Sequence, residues 1–125
     1  MCGIAGAIWL QDGAPLSQDV LRQMAKVIEH RGPDGEGFHY EQNPSGGVAL
    51  AHRRLSIIDL VGGKQPMCNE DETIWITFNG EIYNYRELRS ELQKQGHQFR
   101  TDSDTETIVH LYEERGMDFL AELRG

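Results

Sequence analysis

The chain has 125 residues, 38% of them hydrophobic and 26% charged, which suits one globular domain with its own core. Twelve Lys and Arg against twenty Asp and Glu give a formal net charge of −8, which argues against nucleic acid or an anionic membrane as the main partner. No apolar run nears the length of a membrane span, no leader peptide is evident, and the two cysteines, Cys2 and Cys68, fit neither a zinc spacing nor an oxidising compartment; the expectation is a cytoplasmic protein without a metal site.

The stretch GIAGAIWL reads as the first strand. Ile4, Ile8 and Leu10 alternate with Ala5, Ala7 and Trp9, and two apolar faces predict burial on both sides. After the turn QDGAP, Ser17 is placed to cap a helix in which Val20, Leu21, Met24, Val27 and Ile28 recur at helical spacing. Gly32, Pro33 and Gly35 predict its end near His30. GFHYEQ and GVALAHRRLSIIDL read as strands joined by the turn NPSGG, GGKQP as a loop, and TIWITF as a further strand. A helix is predicted over 85–95, with Leu88 and Leu92 inward and Gly96 as its stop. HQFRT reads as a short strand. SDTETIVHLYEERG reads as a helix with Ile108, Val109, Leu111 and Tyr112 on one side, with Asp102 or Asp104 as its N-cap. MDFLAELRG begins a last element whose Leu120 and Leu123 lack a partner. Strands in hairpins and segregated helices predict an α+β layered fold.

The chemistry begins at Cys2. If Met1 is removed, Cys2 carries both a thiol and a free α-amine, whose ordinary pKa values, about 8.5 and about 7.7–8.0, let the amine serve as the base for its own sulfur. With Met1 in place the nitrogen is an amide and is no base. A buried small residue is the plainer reading of a Met-Cys start. A sulfur nucleophile suits attack on a carbonyl or carboxamide, and the oxyanion then needs fixed donors. FNGEIYN offers them: Asn79 an amide side chain, Gly80 an exposed N–H, with the Glu81 carboxylate beside both. Arg31 lies in a Gly/Pro loop, where a guanidinium orders backbone or binds a carboxylate. Arg53 and Arg54 sit in a strand and face opposite ways, so one points inward and needs an anion, from a structural ion pair or from a ligand.

MCGI, HRGPDG, AHRRLSIIDL, QPM, FNGEIYNYRELR and SDTE occur in this order. As an ordered set they resemble the N-terminal glutaminase domain of glutamine-hydrolysing asparagine synthetases, a class II glutamine amidotransferase and N-terminal nucleophile hydrolase. The resemblance implies that residues 1–125 are the N-terminal part of a type-2 glutamine amidotransferase domain with a four-layer αββα sandwich, here cut short before its last strands. It implies that Cys2 is the nucleophile, Asn79 and Gly80 the oxyanion hole, and Arg54 the grip on the glutamine α-carboxylate. Glu81 and Asp104 would hold the α-ammonium, and Arg53 would serve structure or solvent. The implied partners are glutamine and a C-terminal synthetase domain of the same polypeptide, with a homodimer left open. The domain itself would need no cofactor and no metal; ATP and Mg²⁺ belong to the synthetase domain. An amidotransferase with another acceptor, or a glutamine-binding module that never loses Met1, are the alternatives. Missing strands leave a sheet edge open, so the fragment alone is expected to be a poor glutaminase.

Overall fold

The computed structural model describes residues 1–55 and 63–125. The chain divides into two compact units, Met1–Leu60 with Thr77–Asn79 and Val61–Ile76 with Gly80–Gly125. The architecture is mixed α/β.

In the first unit, β1 (Gly3–Leu10), β2 (Gly35–Asn43) and β3 (Gly46–Arg54) form an antiparallel sheet in the order β1-β3-β2. The predicted NPSGG turn joins β2 to β3 as a hairpin, and register runs from Asn43↔Gly46 to Gly35↔Arg54. α1 (Gln18–Val27) starts where Ser17 Oγ accepts the Val20 N–H at 3.3 Å. Its Leu21 and Ala25 pack with Trp9, Ala49 and Ala51 into one core. Ala49 and Ala51 lie directly opposite Ala7 and Ala5, and these small side chains let the helix approach the sheet closely.

That helix covers only one face of the sheet. Burial of β1 on both sides is therefore corrected: Ile8 and Leu10 are 79% and 75% exposed while Trp9 is 8% exposed. The alternation was right, but β1 is an edge strand and no element among the described residues covers its second face. Val27 is likewise exposed, because α1 gives way there to a short 3₁₀ turn over Glu29–Arg31. The IIDL end of the predicted third strand lies outside the described residues.

In the second unit, β4 (Met67–Cys68) pairs antiparallel with β5 (Trp75–Ile76). TIWITF is thus a two-residue ladder rather than a six-residue strand. α2 (Tyr85–Gln95) buries Leu88 and Leu92 as predicted, and Gly96 ends it at φ 108°, a left-handed conformation that suits glycine. α3 (Asp104–Arg115) is buried from Thr105 to Leu111 on all sides, while Tyr112 is largely exposed. Leu123 packs with Phe119 on Leu88, Leu92 and Leu111, so it has the partner that sequence reading denied it. Leu120 remains exposed.

HQFRT is no strand. Its N–H groups go to carboxylates: Gln98 to Glu70 Oε1 at 3.0 Å, Arg100 and Thr101 to Glu106 at 2.6 and 2.8 Å. The α3 cap is Ser103, whose Oγ accepts the Thr105 N–H at 3.2 Å; neither Asp102 nor Asp104 caps the helix. Among the described residues no helix is long and apolar enough to cross a membrane.

Candidate active site

Alternation along β3 sorts the two arginines. Arg53 faces α1 with Ala49 and Ala51, and Arg54 faces the other side with His52. Arg53 is 5% exposed, with Nη2 2.6 Å from Glu29 Oε1 and Nη1 bonded to Glu36 Oε2. It is the inward arginine with a structural ion pair. Arg54 is half-buried, and its carbonyl accepts the Asp34 N–H at 3.0 Å. His52 is buried, its Nδ1 3.1 Å from Thr77 Oγ1. Burial first, and the Arg54 charge second, push its pKa below the ordinary histidine value, so the ring is neutral near pH 7.

Cys2 immediately precedes β1. The ladder between β1 and β3 ends at Gly3↔Arg53, so Cys2 and Arg54 are the residues next to that last pair on their two chains. The sulfur is held by Leu55, whose N–H donates to Sγ at 3.4 Å and whose carbonyl lies 3.9 Å away. Arg31 Nε donates to the Cys2 carbonyl at 3.3 Å, so the loop arginine orders backbone rather than a ligand. Gly32 makes this loop possible: a Cβ there would fall 2.3 Å from the Arg53 carbonyl carbon and oxygen. Met1 is 80% exposed, and Cys2 and Cys68 are free thiols. Burial, and then Glu72, push the Cys68 thiol above its ordinary pKa, which makes it a poor nucleophile.

Asn79 closes the first unit and is exposed. Gly80 and Glu81 open the long segment of the second unit, both exposed. Ile82 behind them is buried, and its N–H donates to Asp104 Oδ2 at 2.8 Å. That bond brings the Asp104 carboxylate to the backbone beside Glu81, so these two acidic residues belong to one locality. Asp102 does not; its side chain is 97% exposed and 3.4 Å from Arg89 Nη1.

Two residues that sequence reasoning passed over complete these arrangements. Leu55 fixes the sulfur through backbone atoms alone, which no side-chain pattern signals. Asn84 donates to the Glu122 carbonyl at 2.8 Å and accepts the Arg124 N–H at 2.9 Å, tying the last residues to the NGEIYN segment. A polar residue closing the NGEIYN motif was its signal. Of the sites assigned from sequence, none lies in the described group with metal-ligand spacing, which is Glu70, His97, His110 and Glu113.

The first unit carries a thiol, a guanidinium and the Asn79 amide, and the second carries the Gly80 N–H and the carboxylates of Glu81 and Asp104. These are complements of an electrophilic carbon, a carboxylate, an oxyanion and an ammonium. The sequence profile of the glutamine amidotransferase domain family matches residues 1–125. The whole chain aligns with asparagine synthetase [glutamine-hydrolyzing] 2 of Bacillus subtilis (strain 168) at 50% identity over 129 residues, 16% of that protein. It aligns with asparagine synthetase [glutamine-hydrolyzing] 1 of the same organism at 45% over 130 residues, 20% of its length. Asparagine synthetase [glutamine-hydrolyzing] 1 of Arabidopsis thaliana is 46% identical over 125 residues, again 20% of its length. The chain thus spans about a fifth of the curated relatives it matches.

Proposed function

We propose a glutaminase, from the premise that the chain belongs to the glutamine amidotransferase domain family. Once Met1 is removed, the Cys2 α-amine takes the thiol proton and the thiolate attacks the side-chain carboxamide carbon of glutamine. The carbonyl electrons move to oxygen, and Asn79 and Gly80 donate to that oxyanion. The carbon–nitrogen bond breaks as the amine returns its proton to the leaving nitrogen, which departs as ammonia and leaves a glutamyl thioester. Water, deprotonated by the same amine, attacks the thioester. Glutamate leaves and the thiol is restored. Arg54 holds the α-carboxylate bidentately; Glu81 and Asp104 hold the α-ammonium.

The observation that supports this reading is the end of the β1–β3 ladder at Gly3↔Arg53, which leaves Cys2 and Arg54 as the next residues beside it.

The ammonia serves a C-terminal synthetase domain of the same polypeptide, where aspartate is activated with ATP and Mg²⁺ and converted to asparagine. The relatives' names support this acceptor. The fold that goes with the reaction is the four-layer αββα sandwich; the exposed Ile4, Ile8 and Leu10 face of β1 is the kind of surface that a second sheet covers. The test is intact mass with glutamine turnover. Active protein lacks one methionine, a glutamine-derived electrophile labels Cys2, and Cys2→Ala lowers ammonia release at least about 1000-fold. Full turnover by protein that retains Met1, or by Cys2→Ala, refutes the mechanism.

A further inference from the structure

We propose that Glu70, His97, His110 and Glu113 form a binding site for a divalent transition-metal ion of the zinc class, separate from the glutaminase machinery. Glu70 follows β4, His97 follows α2, and His110 and Glu113 lie on one face of α3 at spacing i, i+3. One donor atom from each lies within 4.8 Å of the others. His110 Nδ1 is 3.5 Å from Glu70 Oε2 and 3.7 Å from Glu113 Oε2. His97 Nδ1 is 3.6 Å from Glu113 Oε2 and 4.0 Å from Glu70 Oε1. A tetrahedral zinc ion with bonds of about 2.0–2.1 Å places its ligand atoms about 3.3–3.5 Å apart. The three distances to Glu70 Oε2 and Glu113 Oε2 are thus within a few tenths of an ångström of that geometry; the 4.0 Å distance runs to the other Glu70 oxygen.

Two observations separate this group from an ordinary acidic patch. His110 is 1% exposed, and its Nδ1, aimed into the group, makes no hydrogen bond. A buried donor or acceptor left unmet is rare enough to need an occupant. The second is the orientation of the rings. His97 Nε2 is 2.8 Å from Glu114 Oε1, and His110 Nε2 is 3.8 Å from Glu106 Oε1. For His97 the carboxylate at the remote nitrogen puts the proton there and leaves the Nδ1 lone pair facing inward, as metal-bound histidines require; His110 Nε2, like its Nδ1, makes no hydrogen bond. The carboxylates are steered too: Gln98 N–H donates to Glu70 Oε1 at 3.0 Å and Asn69 Nδ2 to Glu113 Oε1 at 3.4 Å, which leaves Oε2 of each turned towards His110.

The carboxylates of Glu70, Glu113 and Glu106 all face the His110 ring, at 3.5, 3.7 and 3.8 Å, and this concentration of negative charge attracts a divalent cation. Two imidazoles with two carboxylates suit zinc and its neighbours in the first row, and not the all-oxygen preference of Ca²⁺ or Mg²⁺. A cleft of about 450 Å³ lined by Glu70, His97 and Glu113 gives entry. The bound ion cross-links the segment after β4, the end of α2 and the middle of α3.

The test is isothermal titration of chelator-stripped protein with Zn²⁺, and optical titration with Co²⁺. The expected results are one ion per chain, a thermal midpoint that rises with Zn²⁺, and cobalt bands of a tetrahedral nitrogen–oxygen site. His97→Gln and Glu113→Gln, both at the cleft rather than in the core, each weaken Zn²⁺ binding at least about tenfold. Cys68→Ser leaves it unchanged. The proposal is overturned by no saturable binding below about 100 µM Zn²⁺, by equal affinity in both glutamine variants, or by sulfur-to-cobalt charge-transfer bands that vanish in Cys68→Ser. The cobalt spectrum of unaltered protein decides the matter even if a variant fails to fold.

Discussion

Two alanine substitutions in the HRGPDG loop give opposite results if the loop is clamped as the structure has it. At Gly32 the added Cβ meets the carbonyl carbon and oxygen of Arg53 at 2.3 Å and the Arg54 nitrogen at 2.6 Å. These are backbone atoms inside a sheet, so the loop must move by about 1 Å or more to reach ordinary contact distance. Movement endangers the Asp34 N–H bond to the Arg54 carbonyl and the Gly32 N–H bond to the Glu29 carbonyl, both 3.0 Å. It also endangers the 3.3 Å bond from Arg31 Nε to the Cys2 carbonyl. Overpacking costs about 1–3 kcal/mol, and the two backbone bonds add about 1 kcal/mol each. The expected loss is about 3–5 kcal/mol, much of the stability of a domain this size. Backbone strain plays no part, since Gly32 has φ −149°, open to any residue. At Gly35, three residues on, a Cβ meets only the Arg54 Cβ at 3.8 Å. Gly35→Ala is therefore expected to change stability by less than about 1 kcal/mol, with loss of unfolded-state freedom in its favour. Urea unfolding followed by circular dichroism, with the slopes compared, measures both. Glutamine hydrolysis at a temperature where each variant is folded shows whether the Arg31 tether to Cys2 has slipped. Equal midpoints for the two variants would refute the clamp.

The adjacent arginines should separate cleanly. Arg54→Ala is expected to raise the KM for glutamine by the equivalent of about 2–5 kcal/mol with little change in unfolding, while Arg53→Met costs about 2–4 kcal/mol of stability and leaves KM alone in the folded protein; the exchanged pattern would reverse the face assignment. For His52, the folded pKa lies below the unfolded one, so the unfolded chain binds the extra proton. Its contribution is present above about pH 6.5, falls as pH drops through that value, and levels off once the folded ring is itself protonated. His52→Gln is expected to flatten that part of the stability–pH curve, and an unchanged slope between the two proteins would show that folding does not lower the His52 pKa.

How far the sequence reading reached followed the range of the forces involved. Helices α1 and α2 were legible because capping and apolar spacing act within a few residues: Ser17, Gly96 and the Leu88–Leu92 pair did what local rules require. The first sheet was legible because a turn-forming NPSGG joins adjacent strands. What failed was one-sidedness and completeness. Ile4, Ile8 and Leu10 alternate as a buried face does, but alternation reports only that a face is apolar, not that something covers it. The candidate site was proposed from side chains that carry chemistry, at Cys2, Arg54, Asn79, Glu81 and Asp104, and Leu55, which contacts the sulfur through its peptide group, gave no such signal. The His97–His110 group was missed for a related reason: its four ligands are spread over residues 70–113, and no short spacing reveals them.

The SDTE segment shows why propensity alone misassigned its neighbour. HQFRT has the alternating Phe and Thr of a strand, yet a strand needs a partner to take its N–H groups. Glu106 takes them first. The residue is 2% exposed, and it accepts the Arg100 N–H at 2.6 Å, the Thr101 N–H at 2.8 Å and the Thr101 hydroxyl at 2.6 Å. Burial would raise its pKa, but His110 and these donors together pull it to about 2, so the carboxylate stays charged inside the unit. A buried carboxylate is tolerated only when its oxygens are satisfied, and the backbone of 100–101 is what satisfies them. The demand of one buried charge from the first turn of α3 thus outweighs the strand preference of five residues before it. Asp104, two residues earlier on that turn, meets the same need through Ile82 N–H, and in doing so it brings one proposed ammonium ligand to the backbone of the other.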